Sequence, residues 1–243
     1  MNSAAAAKSS TRGYKVLKRL NWREIFSKNH FNLHSDDDIV LHKVYPVRQI
    51  DNKIVVPEST LYWLMHPWLN KECSKLEAGG FMLEVSNWIG SNSDRKSEWK
   101  ETQRDYAATR WNLLSAADKQ LFDKKGWTKR FKASGIGGVR GWDNEDDTST
   151  NSIKLKCLHL HYAHFLAQSK SCCTYKVNIV GKRVHKEIKE ILRSLFFLSV
   201  YSTVNVVMSP RCSSSFASVL SVYLFMRFPV FFLTFPSIRT IQC

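Results

Sequence analysis

The stretch GGFMLEVSNWIGSNSDRKSEWKETQRDYAATRWNLLSAADKQLFDKKGWTKRFK, residues 79–132, decides how the chain is read. Phe81, Val85 and Trp88 stand at i, i+4 and i+7, which predicts a first helix over GFMLEVSNWI with one apolar face. Gly90 and the polar run after it end that helix. A second helix is expected from Ser97 through EWKETQRDYAATRWNLL, with Trp99, Gln103, Ala107, Trp111 and Leu114 on one stripe. Ser115 opens a third, because its hydroxyl can accept from the amide three residues on, at Asp118. Leu121, Phe122, Trp127 and Phe131 supply its buried side and Lys124, Lys125, Lys129, Arg130 and Lys132 the other. Gly126 falls inside that third helix, where glycine costs about 1 kcal/mol relative to alanine.

Three short aromatic helices, the last one basic, point to a nucleic-acid module. The phrases GFMLEVSNW and RWNLLSAADKQLFDKK resemble an HMG box. Phe81-Met82, Trp111, Leu114-Ser115, Asp118-Lys119 and Phe122 fall at the family's positions and spacing, over roughly 55 residues. The Gly-Phe-Met opening, with Trp88 seven residues past Phe81, is most similar to the box of Maelstrom-type proteins. The resemblance implies an L of three helices that sits on a widened minor groove and bends the duplex. It places Met82 as the wedge with Phe81 beside it. It also sets Arg95, Lys96, Lys100, Arg104, Lys129, Arg130 and Lys132 on phosphates, contacts that add salt-dependent affinity without sequence information. For the Maelstrom-type box it implies a part in piRNA-guided transposon silencing and chromatin regulation, with silencing-complex proteins as partners and the nucleus, or nucleus and cytoplasm, as location.

Outward from that stretch, the expectation is a mainly α protein. Residues 1–75 form a small α+β or partly disordered segment, 76–134 the L-shaped three-helix HMG-box-like domain, 135–152 a glycine-rich then acidic linker, and 153–243 a His/Cys segment with an apolar, helical tail. In the first part YKVLKRLNWREIFSKNHF has helical spacing. IVLHKVY and KIVVP read as strands about a turn at Asp51-Asn52.

Composition supports a polyanionic partner. The chain has 243 residues, 36 Lys+Arg against 21 Asp+Glu, and a formal net charge of +15. The surplus is spread along the chain, so it acts through folded surfaces, and DNA or structured RNA is the expected ligand. A hydrophobic content of 44% excludes wholesale disorder. The start lacks a signal-peptide core, and six cysteines in this length do not make a disulfide scaffold.

No catalytic signature is present: no GxSxG, no HExxH, no phosphate loop, and GIGGVRG at 135–141 lacks the flanking strand of a dinucleotide motif. The protein is read as no enzyme and as needing no cofactor. Cys157, His159, His161, His164, Cys172 and Cys173 invite a zinc reading, with His159 and His164 in the usual window and Cys157 with Cys172 completing four ligands. Without a Cys-x2–4-Cys pair, the expectation is no metal. The tail segments LFFLSVYSTVNVVM and FASVLSVYLFMRFPVFFLTF raise a membrane alternative, a membrane-associated adaptor with a basic soluble half. The first is short for a span, and the second holds Arg227 and Pro229. A buried helical hairpin is an equal alternative, and the remaining one is translated noncoding sequence.

Overall fold

The computed structural model describes residues 14–26, 35–50, 54–142, 153–168 and 177–207. The chain divides into a unit through Arg193 and a second from Ser194. The last helix of the first unit continues to Val207.

An antiparallel sheet organises the unit. The long strand β2 (Ile39–Ile50) lies at its centre, β1 (Tyr14–Asn21) pairs along one edge, and β3 (Ile54–Pro57) and β4 (Tyr62–Leu64) share the other. β3 meets the end of β2 at Val47↔Pro57, and β4 meets its start at Leu41↔Leu64. β2 and β3 are the two strands that alternation predicts. The segment YKVLKRLN, in contrast, is strand rather than helix. A capping box at Asn21 with Glu24 delays helix until the short α1 (Trp22–Ile25).

Six more helices follow to the end of the first core: α2 (Pro67–Ala78), α3 (Phe81–Gly90), α4 (Ser93–Asn112), α5 (Ala116–Lys124), α6 (Thr128–Lys132) and α7 (Leu158–Gln168). The helix α8 (Ile179–Val207) closes the described chain. Pro67 opens α2 at its first position, where a missing amide costs nothing. Asn92, not Ser97, caps α4 by accepting from the Arg95 amide. Ser115 caps α5 through the Asp118 amide, as its sequence predicts.

The expected third helix is two helices. Gly126 has φ +69 and ends α5 as its left-handed cap. Its amide donates to Asp123 O and the Trp127 amide to Phe122 O, the paired bonds of a Schellman motif. Gly126 is thus a stop signal rather than a weak interior residue.

The L-shaped box is overturned by how these helices share their cores. Phe81, Val85, Ile89 and Trp99 join Leu41, Leu69, Tyr162, Val184 and Ile188 in the main core. Leu114, Phe122 and Phe131 instead pack on Val47 of the sheet, with Trp111 and Trp127 beside them. A box must bury its aromatics in one core of its own; here the first and last thirds of the stretch pack against different parts of a larger α/β unit. The fold is a four-stranded antiparallel sheet with helices, not a mainly α box between appendages. Among the described residues no helix is long and apolar enough to cross a membrane. The second tail segment, the acidic run 143–147 and the Asp51-Asn52 turn lie outside the described residues.

Candidate functional site

The face of α3 assigned to the nucleic-acid wedge is occupied. Phe81 is buried in the main core and Met82 packs against it. Arg183 of α8 lies over the Phe81 and Trp88 rings, at 5.8 and 4.9 Å from their centroids, and forms an ion pair with Glu84. Arg95 covers Trp88 too, 4.7 Å from the ring centroid, and donates to Trp88 O at 2.6 Å. Trp88 is therefore held by two guanidinium groups, Phe81 is buried, and Met82 is half-buried against the same core. The remaining expected residues lie on α4 and α6. Lys96 and Lys100 are half-buried on α4, Arg104 is exposed near the Trp142 ring, and Lys129, Arg130 and Lys132 are exposed on α6.

A different basic surface emerges where the sheet meets α4–α6. The Trp111 ring has two ammonium groups over it, Lys132 Nζ at 4.2 Å and Lys119 Nζ at 5.7 Å. Neither lysine has an ion-pair partner among the described residues. Beside Lys119, Tyr45 O–H donates to Asp118 at 2.5 Å and accepts from the Ser115 amide at 2.8 Å, which fixes its ring at the start of α5. Lys15 Nζ lies 5.6 Å from that ring. Two residues along β2 on the same face, Lys43 stands opposite Lys18. Burial, and then the Lys18 charge, hold the Lys43 ammonium below its usual range. Like charges paired across strands destabilise a sheet. The sequence shows each lysine but not this stripe, because the stripe needs the β1–β2 register and the α5–α6 break.

Behind the stripe lies an interior charge. Arg110 is fully buried. Its guanidinium donates to the carbonyls of Ser59, Gly135, Phe131 and Ser134 and to Ser134 Oγ, between the Tyr106 and Phe131 rings. Burial works against its charge, while Tyr106 and Glu58 support it. The glycine run at 135–141 is thereby explained as a turn: Gly135 is bound by Arg110, and the Ile136 amide donates to Gln103 Oε1 at 2.8 Å.

The histidines of α7 separate into two groups. His161 and His164 are buried and share Asn178, whose Nδ2 lies 3.3 and 3.1 Å from their Nδ1 atoms. Burial pushes His161 down to about 4, against a smaller upward effect of Asn178, and it pushes His164, aided by His161, to about 3. Asn178 Oδ1 in turn accepts from the Gly181 amide and caps α8. His159 turns the other way, toward α2. Its Nδ1 lies 3.4 Å from Cys157 Sγ and 3.2 Å from Glu77 Oε1, and its Nε2 lies 3.1 Å from Asn70 O and 3.2 Å from Ser74 Oγ. The hydrogen bond with Cys157 foremost, against burial, holds His159 up at about 9. Cys157, His159 and Glu77 are the described residues placed to hold a metal. The four-ligand set suggested by spacing is not assembled: His164 faces Asn178, and Cys172 lies outside the described residues. Glu77 carries no signal in the sequence, being far from Cys157 along the chain.

One family model, described as a protein of unknown function (DUF501), matches residues 35–186. No curated protein and no solved structure matches the chain. The matched span runs from the start of β2 to the first turns of α8, so it takes in the whole HMG-like stretch as one part of a larger unit. That finding replaces the HMG-box and Maelstrom-type resemblance, and it does not bear on the silencing role that the resemblance implied.

Proposed function

The chain belongs to the DUF501 family, and for this member we propose non-enzymatic binding of nucleic acid through the lysine stripe around Trp111. The observation that carries this reading is the pair of ammonium groups, Lys119 and Lys132, that lie over a half-buried indole with no ion-pair partner among the described residues. An aromatic face with cations beside it offers stacking to a base and charge to the adjoining phosphates. Lys15 and Tyr45 extend the same chemistry along the sheet. Lys18 opposite Lys43 adds a second reason, since a bound phosphate offsets their repulsion. The net charge of +15 supplies the long-range attraction.

The wedge mechanism is not part of this reading. Binding rests on phosphate contact and stacking, which favour nucleic acid without strong base preference.

The test is fluorescence anisotropy of the full chain with duplex DNA, single-stranded DNA and structured RNA across a salt series. About four phosphate contacts give a log–log salt slope of roughly −3 to −4. In the Lys119→Ala/Lys132→Ala double variant affinity falls about tenfold, and the slope becomes shallower by about two. Absence of binding to all three at low salt overturns the reading.

A further inference from the structure

We propose that Glu77, Cys157 and His159 bind a zinc ion that fastens the end of α2 to the start of α7. Their ligand atoms, Oε1, Sγ and Nδ1, lie within 4.8 Å of one another. Zn–S bonds of about 2.3 Å and Zn–N or Zn–O bonds of about 2.0–2.1 Å place tetrahedral ligands roughly 3.4 Å apart. The observed Sγ···Nδ1 distance is 3.4 Å and Nδ1···Oε1 is 3.2 Å. Two edges of a tetrahedral face are thus already at bonding spacing, and the third, between Cys157 and Glu77, is within 4.8 Å.

The tautomer of His159 agrees. Asn70 O is a carbonyl and can only accept, so the contact at Nε2 requires the proton there. In the metal-free protein a proton on Nδ1 pairs the ring with Glu77. A metal ion displaces that proton and takes the Nδ1 lone pair, which faces Cys157 Sγ and a carboxylate oxygen. Donation of the second ring N–H to a carbonyl is the usual way a protein orients a metal-binding histidine, and Ser74 Oγ, 3.2 Å from the same Nε2, adds to that orientation.

Ligand chemistry selects the metal. One thiolate, one imidazole and one carboxylate suit a borderline-soft divalent ion, whereas magnesium and calcium prefer oxygen alone. Thiolate and carboxylate together neutralise its two charges. Cys157 directly precedes the N-terminus of α7. Glu77 Oε1 also accepts from the Leu158 amide at 2.6 Å, so the carboxylate is positioned by the helix that supplies the other two ligands. All three side chains are half-buried, which leaves the ion reachable and its fourth position to water. Cys73 on α2 is fully buried and stands outside the group.

The full chain, stripped with chelator under reducing conditions, is titrated with Zn2+ against a chromophoric competitor and separately with Co2+. The expected result is one ion per chain, a thiolate-to-cobalt charge-transfer band in the near ultraviolet, and a higher Tm with Zn2+. Cys157→Ser removes the band, and His159→Ala weakens Zn2+ at least a hundredfold. Glu77→Gln keeps an acceptor for the Leu158 amide and hence the fold, and it too weakens Zn2+ by tenfold or more. Cys73→Ser leaves stoichiometry and band unchanged. No binding, or a band that persists in Cys157→Ser, overturns the proposal. So does affinity unaltered in folded Glu77→Gln, which removes Glu77 from the ligand set.

Discussion

Two polar interiors of this protein solve burial in opposite ways. Around Arg110 a full charge is retained: four carbonyls and a hydroxyl accept from the guanidinium, and two aromatic rings cover it. Around Asn178 the charge is given up, because two imidazoles share a single amide and are held neutral by burial. The difference follows from the groups. Arginine cannot shed its proton at any ordinary pH, so its site must satisfy a cation. Histidine titrates near neutrality, so losing the proton is cheaper than building five acceptors.

The sharpest break of this contrast is Arg110→Ala. It takes the guanidinium from four buried carbonyls, three of which keep a second donor (Tyr106 O–H on Ser59 O, Ser134 O–H on Phe131 O, the Gly138 amide on Gly135 O), and should cost about 3 kcal/mol in urea denaturation. Arg110→Lys should recover less than half, since one ammonium cannot fork to the acceptors. Equal stability of Arg110→Lys and wild type would show that the charge, not the fork, matters.

Acid acts on the other interior. His161 and His164 have depressed folded values, so the unfolded chain takes up protons first and stability falls as pH drops below about 6.5. Between about pH 7.5 and 5 each imidazole should contribute a loss of roughly 2 kcal/mol. Buried His42, also lowered, works in the same direction. Denaturation of His164→Gln across that window should show a shallower slope; an unchanged slope contradicts neutral burial. His159 has the opposite sign. In the chelator-stripped protein its raised value adds stability that is complete below 6.5 and lost as pH rises through about 9.

Smaller effects test the framework of each interior. At Gly181 an added Cβ would lie 2.4 Å from His161 O and from Phe165 Cβ, so Gly181→Ala should separate α7 from α8 at about 2 kcal/mol. Gly126→Ala meets no neighbour and is disfavoured only by φ +69, so about 1 kcal/mol is expected, with no change in the histidine slope.

The Gly126 cap shows how far the sequence can be read. The segment around it was legible as helical, and Ser115 as a cap, because both depend on residues within one turn. Whether Gly126 interrupts or ends the helix depended on Trp127 and Phe131 finding Val47 of the sheet. Arg110 sat unnoticed on a polar position of α4 because nothing local distinguishes a buried arginine from a solvated one. Cys157 and His159 were visible as a pair of metal-binding types, while Glu77 and the Asn70 carbonyl join them only through the packing of α2 on α7.

The sequence by itself determined what short-range physics controls: the helices over Phe81–Gly90 and Ala116–Lys124, strands β2 and β3, the apolar stripes, and a net positive charge that acts through folded surfaces. Tertiary structure decided which cores those stripes entered, which lysines became neighbours, and which way each histidine of α7 faces. Those outcomes depend on contacts between residues far apart in the chain, and no local pattern encodes a distance across the core.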